Sequence, residues 1–197
     1  MFCRLFLFYL ISAFLFPKDV ACQDSSQYIN QIKQTLVHFG VSDSVLGNIH
    51  YESCNLIIIS KDIYGNRDLK LDSLAAEAFF LMKEDAKKDS INLRVTSAFR
   101  SFDYQKGIIN RKLKKGRTLE SIMKENTLPG YSEHHTGCAI DFISEGASSL
   151  SIDFEKTETF KWLSENASNY GFYLSYPKEN NNGIMYEPWH WMFKKND

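Results

Sequence analysis

Two short stretches of this 197-residue chain hold side chains whose types and spacing could do chemistry. The first is Ser132-Glu133-His134-His135-Thr136-Gly137-Cys138-Ala139-Ile140-Asp141, and the second is Glu187-Pro188-Trp189-His190-Trp191. Two imidazoles and a carboxylate are a common ligand set for a catalytic zinc, which keeps its fourth position open for water. His134, Asp141 and His190 supply that set, and water on such an ion has its pKa lowered to about 7. Glu187 is the carboxylate that could take the proton. It precedes Pro188, which biases it to extended backbone, so it needs no helix of the H-E-x-x-H kind. Trp189 and Trp191 are expected to flank His190 and exclude water, and Arg100 to stand near a developing oxyanion. His38 and His50 read as ordinary solvated or hydrogen-bonded histidines. His135 reads as pointing away from His134 on extended backbone.

The elements that must position these groups follow from periodicity. Ile29, Ile32, Leu36 and Val37 recur at helical spacing, up to about Gly40. Leu56-Ile57-Ile58-Ile59 reads as a buried strand. Asp72-Ser73 opens a helix with Leu74, Ala75, Ala78, Phe79, Met82 and Ala86 on one stripe. Leu93–Ser97 alternates as a strand, and Ser101 or Asp103 caps a helix reaching Lys115. A short helix spans Thr118–Asn126. Residues from Gly137 onward form a strand that turns Cys138, Ile140 and Phe142 to the core and leaves Asp141 on the other face. Thr157–Asn169 is a helix stopped by Gly171, Phe172–Leu174 a strand, Asn180–Gly183 a tight turn, and Glu187–Phe193 the final strand. Helices among several strands joined by short turns make the fold class α+β.

The composition, 44% hydrophobic and 24% charged, is that of one folded domain. A formal net charge of -1 gives no reason to expect a nucleic-acid partner. Met1–Phe16 is apolar apart from Arg4 and one serine, too short to span a bilayer and patterned as a secretory signal. Residues 1–22 are therefore read as a signal peptide, with lipidation at Cys22 as the alternative, and 23–27 as a flexible linker. Export to the periplasm or cell envelope follows, with membrane contact only through the signal or that lipid anchor, and a monomer is expected. Cys54 and Cys138 could form a disulfide or remain two buried thiols. The basic run Arg111, Lys112, Lys114, Lys115 and Arg117 reads as a solvated face, with an anionic wall polymer as the alternative partner.

The pattern S-x-H-x-x-G-x-A-x-D, followed by E-x-W-H-W and preceded by S-x-x-R-S-x-x-x-Q, resembles the D-alanyl-D-alanine carboxypeptidase family of zinc peptidases. The likeness runs from about Leu56 to Phe193 and takes in Tyr170-Gly171-Phe172 and Tyr176-Pro177. It is strongest to the vancomycin-resistance D,D-carboxypeptidases and the related L,D-carboxypeptidases, whose fold is shared with lysostaphin-type peptidases and the hedgehog domain. The resemblance implies a small antiparallel sheet carrying the site, with residues 28–197 as the zinc carboxypeptidase domain. It also implies Zn2+ on His134, Asp141 and His190, Glu187 as general base and Arg100 at the tetrahedral intermediate. Ser132 and Gln105 would hold the substrate, a peptidoglycan stem peptide that loses its C-terminal D-alanine. His135 stands where the family usually has glutamine, and Ser175 and Met192 where it usually has arginine, which bears on substrate orientation. L,D-carboxypeptidase or endopeptidase action, or a non-catalytic wall-binding module, are the alternatives.

Overall fold

Four short strands form the sheet on which the site is built, in a computed structural model that describes residues 24–42, 47–145, 147–180 and 183–194. β3 (Arg94–Ser97), β4 (Ala139–Ile143), β6 (His190–Phe193) and β5 (Phe172–Leu174) lie side by side in that order, all antiparallel. A separate antiparallel hairpin joins β1 (Leu56–Lys61) to β2 (Asp68–Asp72). The helices are α1 (Ser25–Phe39), α2 (Ser73–Lys88), α3 (Phe102–Lys114), α4 (Leu119–Met123) and α5 (Glu158–Asn166). The fold is thus α+β, as the periodicities predict. The signal-peptide and lipidation readings of residues 1–22 fall outside the described residues.

Two apolar clusters hold these elements. One joins α2 and α5 to the four-stranded sheet through Phe79, Met82, Ile140, Phe142, Leu163 and Trp191. The other packs α1, α3 and α4 through Tyr28, Ile32, Phe102, Ile109 and Ile122. β4 belongs to the first cluster and Tyr131 to the second, so the chain from 131 to 141 crosses the seam between them. Candidate chemistry lies on that seam.

Several expectations need correcting. Ser25–Gln27 form the first turn of α1 rather than a flexible stretch, because the Asp24 carboxylate caps the N–H groups of Ser26 and Gln27 at 2.8 and 3.4 Å. Tyr28 takes the core position, while Val37 is 81% exposed. Ile57 and Ile58 are exposed and only Ile59 of β1 is buried, since a two-stranded hairpin covers one face alone. Leu74, in the first turn of α2, is also exposed, and Ala76 is buried instead. α5 ends at Asn166 and continues as a 3-10 turn, Ala167–Tyr170, which Gly171 terminates at φ 77. Cys54 is disulfide-bonded and Cys138 is a free thiol, so the two do not pair. Asn181 and Asn182 of the expected tight turn lie outside the described residues.

One glycine fixes how the seam is crossed. Gly137 ends the 3-10 turn Glu133–Thr136 at φ 69, and a Cβ there would stand 2.8 Å from the Asp72 backbone nitrogen. Its carbonyl accepts the Asp72 N–H at 2.9 Å, which ties the turn to the start of α2. Gly137→Ala is expected to cost about 1–3 kcal/mol in left-handed strain and backbone displacement. Thermal denaturation checks this, and an unchanged midpoint would mean that the turn relaxes freely.

Candidate active site

Strand register does most of the positioning. Asp141 of β4 pairs directly with His190 of β6, so their side chains stand on one face of the sheet. His134 reaches the same face from the 3-10 turn that leads into β4. Glu187 arrives by a tight turn: the His190 N–H donates to the Glu187 carbonyl at 3.1 Å, with Pro188 second of the four residues. Proline presets φ at that position, so E-P-W-H brings the carboxylate and the imidazole together. Glu187 is therefore in a turn and not in the final strand, which begins at His190.

The three expected ligands converge. Among the described residues, one donor atom from each of His134, Asp141 and His190 lies within 4.8 Å of the others, and all three residues are buried. His134 Nδ1 is 2.7 Å from the Ala98 carbonyl oxygen, which can only accept, so Nδ1 carries the hydrogen. Nε2 then presents a lone pair. It has no hydrogen-bond partner and faces Asp141 Oδ2 at 3.3 Å. Burial, helped by Arg100, pushes His134 down to about 4, so the ring is neutral at neutral pH. An imidazole lone pair and a carboxylate oxygen this close repel unless a cation lies between them. That donor set fits a zinc ion.

His190 completes the set. Its Nδ1 lies 2.9 Å from Asp141 Oδ1 and its Nε2 2.8 Å from Glu133 Oε2. Burial works against its charge, but the two carboxylates push it up to about 10, so a proton sits where an ion would take its place. Burial likewise opposes ionisation of Asp141, yet the charges and hydrogen bonds of both imidazoles hold its carboxyl far below the usual range. The Tyr176 ring packs on His190 with centroids 4.9 Å apart. Trp189 and Trp191 do not flank that histidine: they belong to the apolar core, because strand alternation turns Trp191 away from it.

Glu133 and Tyr176 are the functional neighbours that sequence reasoning missed. A carboxylate placed between Ser132 and His134 was the available signal for the first. Glu133→Gln is expected to weaken zinc binding about tenfold to a hundredfold, as outer hydrogen-bond partners of ligating histidines do. Competition against a chromophoric chelator reads it, and equal affinity would mean that Tyr176 and the backbone orient His190 unaided.

The remaining candidates line one cavity. Arg100, Gln105, Ser132, Glu133, Tyr176 and Glu187 surround it, with His134 and His190 at one side. Burial pushes the Glu187 carboxyl up to about 7, against the opposing charge of His190. Arg100 is half-buried, with Nη2 3.9 Å from Asp141 Oδ2 and a buried Nε without a hydrogen-bond partner. Gln105 donates its amide to the Thr127 carbonyl at 2.8 Å, leaving Oε1 unpartnered. His135 is not on extended backbone: it is fully buried in the 3-10 turn. Its Nδ1 donates to the Arg100 carbonyl at 2.6 Å and its Nε2 accepts the Gly130 N–H at 3.0 Å, so it braces the cavity wall.

The model of the family VanY, D-alanyl-D-alanine carboxypeptidase, matches residues 68–196, the span that holds every one of these groups. The chain belongs to the VanY family. Within that family's neighbourhood it is 34% identical to the putative carboxypeptidase YodJ of Bacillus subtilis (strain 168), over 84% of this chain and 66% of that protein. The LdcB LD-carboxypeptidase structure superposes with a TM-score of 0.65 at 32% identity, covering 73% of this chain and 70% of that one. A vancomycin-resistance D,D-pentapeptidase VanY, solved in complex with Zn(II), shares the fold at 22% identity, with a TM-score of 0.56 and coverage of 75% and 85%. The chain spans between 38% and 67% of the length of the curated relatives it matches.

Proposed function

We propose that this chain is an exported zinc D,D-carboxypeptidase that releases the C-terminal D-alanine from peptidoglycan stem peptides. The observation that carries the reading is the unpartnered His134 Nε2 turned on Asp141 beside a buried glutamate in a VanY-family domain. His134, Asp141 and His190 would hold the ion. When bound, zinc supplies Lewis acidity, polarising a carbonyl and lowering the pKa of water to about 7.

The chain's own groups divide the rest of the work. The Glu187 carboxylate takes a proton from the attacking water and passes it to the leaving amine, and its raised affinity for a proton suits both halves of that transfer. The Arg100 guanidinium, with a buried and unused Nε–H, donates to the oxygen on which negative charge gathers. Ser132 and the free Gln105 Oε1 hold the peptide's main chain. Glu133 and the Ala98 carbonyl keep the two imidazoles turned toward one point. Export is supported by the apolar run Met1–Phe16 behind Arg4, the pattern of a secretory signal. Among the described residues no helix is long and apolar enough to cross a membrane.

One observation favours a second reading of the same site. The likeness to LdcB, at 32% identity, is to an LD-carboxypeptidase. Purified protein given defined pentapeptide and tetrapeptide muropeptides separates the two by product mass. Loss of one alanine from the pentapeptide is expected, abolished by a chelator and restored by zinc. Trimming of the tetrapeptide alone would select the L,D reading, and activity untouched by chelator would contradict the zinc assignment.

A further inference from the structure

Beside the cavity a single tyrosine ring carries two guanidinium groups. Tyr104 stands in the first turn of α3, four residues after Arg100 and immediately before Gln105, and Arg100 and Gln105 both line the cavity. The guanidinium carbon of Arg67 stands 4.8 Å from the centre of the Tyr104 ring, and that of Arg111 stands 5.8 Å from it. Such contacts are weak at exposed positions, so the arrangement needs support from its surroundings.

Two features supply it. Gly107 sits inside α3, where glycine costs helix stability, and a Cβ there would meet Arg111 Nη1 at 3.1 Å. The missing side chain leaves room for Arg111 to fold back along the helix toward Tyr104. On the other side, the β1–β2 loop that carries Arg67 is pinned by Asp62. The Asp62 carboxylate accepts the N–H groups of Tyr64 and Asn66 at 3.2 and 2.9 Å, and its own N–H donates to the Arg67 carbonyl at 2.7 Å.

Neither guanidinium is used up. Arg67 Nε is 4.0 Å from Asp62 Oδ2, and among the described residues Arg111 pairs with no carboxylate. Nearby Lys112 and Arg117 differ, since Glu125 engages them at 3.1 and 2.8 Å. The Arg117 hydrogen bonds hold that carboxyl at about 2. Two guanidinium groups thus share the Tyr104 ring, Arg67 with only a long contact to a carboxylate and Arg111 with none among the described residues.

We propose that Arg67 and Arg111, held on Tyr104, form an outer subsite for a second carboxylate of the substrate peptide, upstream of the bond that is cut. This rests on the peptidase reading above. Planar guanidinium forks match carboxylates, and the cluster's position next to Arg100 and Gln105 places it along a bound peptide rather than on a remote face. A stem peptide with a free carboxylate upstream reaches both sites, and one with that group amidated reaches only the cavity.

The test uses the full zinc-loaded chain and two peptides, both ending in D-Ala-D-Ala, that differ only in whether the upstream carboxylate is free or amidated. The acidic peptide is expected to have a kcat/KM about tenfold higher, carried by KM, and the preference should shrink as salt rises. In the Arg67→Ala, Arg111→Ala double variant the ratio should fall to about one, and in Arg111→Glu it should invert. Both side chains are exposed, and matching thermal midpoints would establish that the variants fold. A ratio unchanged by either variant overturns the proposal.

Calorimetric binding of the same two peptides to the Glu187→Ala protein, with and without the arginine changes, separates two failures. Absent hydrolysis by the parent would sink the peptidase reading, whereas equal binding of both peptides would sink the subsite. A glycerol-phosphate polymer that binds the parent but not the double variant, without any peptide preference, would assign the face to a wall polyanion and also overturn the proposal.

Discussion

Glu187→Ala is expected to lower kcat for D-alanine release by about a hundredfold to ten-thousandfold, the range a positioned general base contributes, with zinc content unchanged. The metal should stay because Glu187 is outside the group of converging donors. The activity should go because no other carboxylate takes its place: Glu133 is spent on His190 Nε2, and Asp141 lies between the two imidazoles. Stability provides the control. Burial raises the Glu187 carboxyl, so the folded state holds its proton more tightly than the unfolded chain does. Its contribution is fully present below the ordinary carboxylate pKa and is lost as pH rises through about 7. At neutral pH its removal should not lower the thermal midpoint, and Glu187→Gln should behave alike. A variant that melted early and lost zinc would show Glu187 to be structural instead.

Asp141→Ala is expected to have the opposite signature, losing the ion and the stability together. Asp141 is 3% exposed and meets His190 Nδ1 at 2.9 Å, His134 Nε2 at 3.3 Å and Arg100 Nη2 at 3.9 Å. Without it, the charges of Arg100 and the buried His190 lose their shared partner, which costs about 3–5 kcal/mol when one member of a buried pair is removed. Denaturant unfolding of the metal-free protein reads that loss separately from zinc binding. A midpoint within error of the parent would mean that water replaces the carboxylate at little cost.

Different parts of this site are legible from sequence for different reasons. His134, Asp141 and His190 stand out because metal chemistry requires particular atoms, and few residue types provide them. The placement of Asp141 follows from alternation along 138–142, which sends Ile140 and Phe142 to the core. Glu187 is legible as a base, but the turn that positions it is not. Pro188 restricts its neighbour, yet the Glu187 carbonyl to His190 N–H bond depends on Phe142 and Tyr176 taking up the adjoining backbone groups. His135 shows the limit of local reasoning: extended backbone would turn it outward, but the 3-10 turn ended by Gly137 buries it against Gly130 and Arg100. The tryptophans mislead for the same reason, since a strand's two faces are told apart only once its partner strand is known. Ile57 and Ile58 read as core because β-branched runs usually are, and nothing local says that their hairpin has one bare face.

The central claim is that two imidazoles and one aspartate meet at a single ion. An X-ray absorption spectrum at the zinc edge of the zinc-loaded protein tests it most directly. Two imidazole nitrogens with oxygen completing the shell, all at about 2.0–2.2 Å, are predicted. A sulfur scatterer at about 2.3 Å, or a shell of oxygen alone, would contradict it.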